Sequence, residues 1–251
     1  MNRPTRYIPN TRRIEIDITY ACNLKCTGCD RSCTQAPEIK HLPLAAVEKL
    51  IQETESQNRV WESVHVLGGE PTLHPDFHKI IGVLDEWFQE HSPATELKVI
   101  SNGYGKTVQE KLSLIPGHWH HDRSYKASPI QQHFEAFNQA PIDLKGWEHE
   151  DFSKGCWITE YCGVALTPQG YFPCAVAGGI ERVMRFGHGL EFINDEALGD
   201  MLTGYCRYCG HFLQDGYRTR ANREEVDTGT LSPIWQHAYR QWRVERKKKT
   251  E

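Results

Sequence analysis

From Arg13 to Tyr20 the chain alternates polar and apolar side chains, and the apolar ones are three isoleucines; this period of two predicts a strand. It runs directly into Ala21-Cys22. Leu44 to Gln57 carries apolar residues at Leu44, Val47, Leu50 and Ile51, the stripe of a helix, with Pro43 near its start. Ser63-Val64-His65-Val66-Leu67 predicts a second strand, closed by Gly68-Gly69. The next helix is Pro75 to Glu90, with Phe77, Ile80, Ile81, Leu84, Trp87 and Phe88 on its apolar face. Leu97 to Ile100 predicts a third strand ending at Ser101-Asn102-Gly103. Strands alternating with helices predict an α/β fold with parallel βα units.

Beyond Gly105 the pattern weakens. Val108–Leu114 predicts a short helix, His118–Ala127 a polar strand, Ser128–Asn138 a helix and Pro141–Lys145 a fifth strand. About five βα steps are too few for a closed eight-fold barrel, so the expected architecture is a truncated, TIM-like partial barrel. From about Phe152 the composition shifts to Gly, Cys and short β pieces, Val164–Thr167 and Gly170–Phe172. The boundary is placed near residue 150, giving a barrel of residues 1–150 and a smaller unit of residues 151–251. That unit ends in a helix from Ser232 to Lys249, with an N-cap serine, Pro233 at its first position, an aromatic stripe and a basic last turn.

Charge and composition narrow the classes. The net charge of −4 gives no electrostatic case for a nucleic-acid binder. No apolar run approaches the ~18–20 residues that span a bilayer, and no secretory signal is visible, so the expected compartment is the cytoplasm. Nine cysteines are then unexpected, because such a chain needs no disulfide framework. They fall into two groups, Cys22, Cys26, Cys29 and Cys33, then Cys156, Cys162, Cys174, Cys206 and Cys209. Clustered intracellular thiols read as metal ligands, because thiolates are the soft ligands that iron–sulfur clusters and zinc select.

Cys22, Cys26 and Cys29 have the spacing C-x3-C-x2-C on the loop that leaves the first strand. Three thiolates on one short loop can hold three corners of a 4Fe–4S cubane and leave the fourth iron open to a ligand. Zinc would need a fourth protein ligand, a part Cys33 could fill. At successive strand ends follow Gly68-Gly69-Glu70-Pro71 and Ser101-Asn102-Gly103. Taken together, these three motifs over roughly residues 10–145 resemble the radical SAM superfamily.

That resemblance implies a radical-generating cluster on Cys22, Cys26 and Cys29 and S-adenosylmethionine (SAM) as cofactor. Gly68, Gly69, Glu70 and Pro71 would line the SAM methionine, with Glu70 as an acceptor for its ammonium. Ser101 and Asn102 would join this cofactor site, and Ser124 and Lys126 on the fourth strand would face the SAM carboxylate or ribose. The residue before the third cysteine, commonly aromatic in the family and close to the adenine, is Gly28 here. Adenine packing then falls to a residue elsewhere, with Tyr104 and Tyr20 as candidates. Asp143 and Lys145, on the expected fifth strand, are candidate catalytic groups facing the substrate. His118-Trp119-His120-His121-Asp122 looks like a metal box, but it lacks supporting ligands and reads as a strand start.

The second group resembles a twitch domain, the shortened form of the SPASM extension. There, a cysteine before a Pro-x-Gly hairpin, one after it and a later C-x2-C ligate one auxiliary 4Fe–4S cluster. Carried over, the ligands are Cys156, Cys174, Cys206 and Cys209, although Gly170-x3-Cys174 is one residue shorter than the usual interval. Cys162 competes with Cys156, and zinc on four thiolates is the alternative to iron. The expected cofactors are therefore two 4Fe–4S clusters and SAM, with a reducing partner such as flavodoxin or ferredoxin.

The implied function is an oxidoreductase-type radical SAM enzyme that abstracts hydrogen from a small polar substrate, in a dehydrogenation or an epimerisation, with the auxiliary cluster in electron transfer. Short chain, truncated barrel and one auxiliary cluster together resemble the small dehydrogenase group typified by 2-deoxy-scyllo-inosamine dehydrogenase. The alternative within enzymes is a maturase of a ribosomally made peptide. With only 21 residues before Cys22, its leader-binding module would be a separate protein. Outside enzymes, a zinc-binding structural or nucleic-acid-binding protein is the other class.

Overall fold

Alternation along the first strand decides how the core is built. In the computed structural model, which describes residues 6–26, 28–36, 38–123, 137–214 and 231–250, β1 is Arg13–Thr19. Ile14, Ile16 and Ile18 are fully buried on one face, against Val47 and Leu50 of α1 (Leu44–Ser56) and Ile80, Ile81 and Leu84 of α2 (Phe77–His91). Each such side chain taken out of water contributes about 1.5–3 kcal/mol. The alternate residues Glu15, Asp17 and Thr19 are also buried, so β1 is covered on both faces.

The remaining strands are β2 (Ser63–Gly68), β3 (Glu96–Ser101), β4 (His120–Arg123), β5 (Val164–Thr167) and β6 (Gly170–Phe172). They form one sheet in the order β4-β3-β2-β1-β5-β6. All neighbours are parallel except the β5–β6 hairpin. The fold is α/β with an open sheet, a partial barrel. Ile14, Glu15 and Ile16 pair with Val164, Ala165 and Leu166, so hydrogen bonding continues from the N-terminal strands into the cysteine-rich half.

α3 (Lys106–Leu112) follows β3 and adds Val108 and Leu112 to the first core, and the cysteine-rich half adds α4 (Trp157–Tyr161), α5 (Ala175–Met184), α6 (Asp195–Asp200), α7 (Leu202–Cys206) and α8 (Pro233–Thr250). A second core gathers Phe137, Phe172, Ile180, Trp235 and Tyr239 around Cys156, Cys174 and Cys209. The stripe of α8 enters it through Trp235, whose indole N–H donates to Tyr208 O at 2.8 Å, inside Cys206-Arg207-Tyr208-Cys209. Among the described residues no helix is long and apolar enough to cross a membrane.

One expected element changes. Pro141–Asp143 forms a 3-10 turn, not a fifth strand. Pro141 lacks an N–H for a ladder, and Asp143 N and Leu144 N bond back to Ala140 O and Pro141 O. The helix expected over Ser128–Asn138 lies almost wholly outside the described residues.

Candidate active site

The loop leaving β1 carries Cys22 and Cys29 half-buried and Cys26 buried. Leu24 N–H donates to Cys22 Sγ at 3.4 Å. The loop after β3 reaches across to it: Asn102 Nδ2 donates to Asn23 Oδ1 at 2.9 Å and lies 3.8 Å from Cys22 Sγ, and Asn23 Nδ2 donates to Tyr104 O at 2.6 Å. Cys33 turns back onto the set, its thiol donating to the sulfurs of Cys22 and Cys29. That donor favours thiolate at both, lowering Cys22 and bringing Cys29 down to about 6 despite burial. Three sulfurs on one loop, two of them biased towards the form that binds metal, fit a three-cysteine cluster site.

The end of β2 is seated on this loop. Gly68 has φ +132, and a Cβ there would lie 2.3 Å from Thr19 O, so only glycine ends the strand this way. A Cβ on Gly69 would lie 2.3 Å from Ala21 O and 3.2 Å from Cys22 Cβ. The backbone then zips onto the start of the cysteine loop, Gly69 N to Thr19 O at 2.7 Å and Glu70 N to Ala21 O at 2.8 Å. Pro71 opens a 3-10 turn, Pro71–Leu73, beyond it.

Glu70 is fully buried and its carboxylate is already engaged. Oε1 accepts from Thr72 N–H and the Thr72 hydroxyl, Oε2 from Asn102 N–H, and Ser101 Oγ lies 2.9 Å from both oxygens. The side chain ties the ends of β2 and β3 together.

In the cysteine-rich half, Cys156, Cys174, Cys206 and Cys209 line one pocket with Ile158, Pro173, Val176, Leu202 and Phe212. Cys174 is the N-cap of α5, its sulfur accepting from Ala177 N–H at 3.4 Å. Burial raises Cys174 to about 11 and, with the neighbouring sulfurs of Cys156 and Cys174, pushes Cys206 and Cys209 well above the usual thiol range. Metal binding would require these thiols to release their protons. A sulfur-only, apolar-walled donor set fits a second iron–sulfur cluster, and zinc equally by donor type. Among the described residues no three His, Cys, Asp or Glu side chains are arranged to hold a single metal ion. Cys162 is not in this wall; its thiol donates to Glu15.

Residues 16–115 match the family model described as the Radical SAM superfamily. This segment is a radical SAM domain. It runs from within β1 through α1, β2, α2, β3 and α3, and so contains the three-cysteine loop and both strand-end motifs. No curated protein sequence matches the chain. Two solved structures of BtrN are similar to it. The one in complex with AdoMet and 2-DOIA has 15% identity and a TM-score of 0.45, covering 81% of this chain and 94% of that one. The selenomethionine form in an open conformation has 13% identity and a TM-score of 0.39, covering 85% and 91%.

The radical SAM domain implies a 4Fe–4S cluster and SAM, and the remaining expected site residues can be placed against it. Asp143 is drawn away from the strand ends: its carboxylate accepts Ile234 N–H at 2.9 Å and caps the start of α8. Lys145 is exposed just beyond the same turn. The strand expected to carry both is replaced by the turn at Pro141–Asp143. Ser124 and Lys126 lie outside the described residues. Tyr20 is buried, its hydroxyl donating to Gln169 Oε1 at 2.8 Å, which leaves Tyr104 at the edge of the Asn102 turn as the candidate for adenine. In the histidine run, His118 and Trp119 both bond Asp85, at 2.7 and 2.8 Å, and β4 begins at His120.

Sequence reasoning missed a charged cluster behind the cysteine loop. Arg31 bonds both Asp17 oxygens, at 3.1 Å from Nε to Oδ2, and reaches Glu15 Oε2 at 3.3 Å. Burial raises both carboxyls while the guanidinium pulls them back. The signal was present in β1, where acidic residues, Glu15 and Asp17, occupy the two positions between the isoleucines; a surface strand reads the same way.

Proposed function

We propose that the chain is a radical SAM oxidoreductase that abstracts hydrogen from a small polar substrate, by dehydrogenation or epimerisation. Cys22, Cys26 and Cys29 hold its radical-generating cluster, and Cys156, Cys174, Cys206 and Cys209 hold a twitch-type auxiliary 4Fe–4S cluster serving electron transfer. The observation that carries this reading is the junction at Glu70, where the glycine motif and the Ser101-Asn102 turn meet against the loop of Cys22.

Cys22, Cys26 and Cys29 would hold a 4Fe–4S cluster, which when bound would supply the one-electron reduction that cleaves SAM. The chain's own residues prepare the place. Gly68 and Gly69 leave backbone bare beside Cys22, Asn102 steadies that sulfur, and Glu70 fixes the two strand ends relative to it. Ser101 and Asn102 belong to the SAM site, with Ser124 and Lys126 against the SAM carboxylate or ribose. A reducing partner such as flavodoxin or ferredoxin supplies the electron.

A peptide maturase is the second reading. It is favoured by the open sheet, since an unclosed barrel leaves a lateral entrance for an extended chain. Deuterium transfer separates the two. Reduced enzyme with SAM and deuterated sugars or aminocyclitols should move label into 5′-deoxyadenosine; label arriving only from a peptide would replace the metabolite by the maturase.

A further inference from the structure

Arg182 belongs to the cysteine-rich half and acts on the other one. It lies on α5, eight residues after Cys174, and is 4% exposed. Its guanidinium spreads over one short stretch that follows Cys29. Nη1 donates to Arg31 O at 2.8 Å and Ser32 O at 3.0 Å, and Nη2 donates to Ala36 O and to Glu38 O at 2.7 Å. The same group stands over the Tyr20 ring, 4.4 Å from its centroid, two residues before Cys22. One planar fork thus grips the cysteine loop on both flanks.

Helix α5 brings that fork from a defined place. Its N-cap is Cys174. A Cβ on Gly179 would lie 2.0 Å from Asp30 O, so the helix backbone is pressed against the residue after Cys29. Beside Arg182, Glu181 accepts from the Tyr205 hydroxyl at 2.6 Å, immediately before Cys206. A helix of this length is a stiff connector, rising about 1.5 Å per residue.

We infer that Arg182 is a positioning residue for the three-cysteine loop, holding Cys22 to Cys33 in the geometry that SAM binding requires. The inference rests on the radical SAM reading. Arg182 acts through the carbonyls of Arg31, Ser32, Ala36 and Glu38. Lysine at this position keeps the charge but cannot serve four carbonyls from one plane.

Two measurements on Arg182→Lys test it. In metal-free protein, amide exchange in peptides within 22–36 should quicken about tenfold while those of α1 and α2 stay unchanged. In anaerobically reconstituted protein the variant should keep the wild-type iron content, weaken SAM binding about tenfold, and change the paramagnetic spectrum that SAM produces on the reduced first cluster. Gly179→Ala, which pushes Asp30 from the same side, should repeat the pattern if the lysine variant does not fold. Exchange and SAM affinity equal to wild type would overturn the inference. Wild-type protein that binds iron but never cleaves SAM would instead overturn the functional reading, with the exchange result still deciding the role of Arg182.

Discussion

Ser101 Oγ lies 2.9 Å from both carboxylate oxygens of Glu70, deep beneath the strand ends. The pair, 31 residues apart in the chain, joins two sequence motifs into one wall beside Cys22. A buried carboxylate with this many donors is a structural anchor, and removing its charge leaves donors facing donors.

Glu70→Gln should therefore cost about 2 kcal/mol, lowering the thermal midpoint by roughly 4–8 °C in a chain of this size. SAM cleavage should fall more than tenfold even where the variant stays folded. Calorimetry separates this from the ammonium-acceptor role: an unchanged midpoint with weakened SAM binding would return Glu70 to the ligand.

The first cysteine loop has its own pH signature in metal-free protein. Cys29 is depressed to about 6 by the Cys33 thiol, so it is thiolate above that pH and thiol below it. Cys33→Ala removes the donor, and the midpoint should rise towards the ordinary thiol value of about 8.5. Alkylation of the Cys29 peptide at pH 7 should slow accordingly. A rate unchanged by the substitution would mean that Cys33 does not set the ionisation.

Cys156 and Cys162 differ in surroundings, the first in the four-sulfur wall and the second paired with Glu15. Reconstituted wild type should hold about eight irons per chain from two clusters. Cys156→Ala should lose about half of them, and Cys162→Ala none. The opposite result would move the ligand by six positions, and zinc retained in place of the missing iron would make the second site structural.

Much of this was legible because backbone periodicity and metal-ligand spacing are local. The isoleucine alternation of β1, the stripes of α1 and α2, and the glycines that end β2 are each written in a few adjacent residues. What could not be read depends on tertiary partners. Pro141–Lys145 has the composition of a strand, yet a proline start and a capping bond from Asp143 to α8 turn it aside. Glu70 looks like a free carboxylate until Ser101, Thr72 and Asn102 close on it. Arg182 carries no motif, and its four acceptors lie about 150 residues away in the chain.

The most direct test of the central claim is 5′-deoxyadenosine formation by anaerobically reconstituted, chemically reduced protein supplied with SAM. Wild type should produce 5′-deoxyadenosine and methionine. The Cys22→Ala, Cys26→Ala, Cys29→Ala triple variant should produce none while keeping about four irons in its C-terminal half. Product from the triple variant, or none from iron-loaded wild type, would contradict the account.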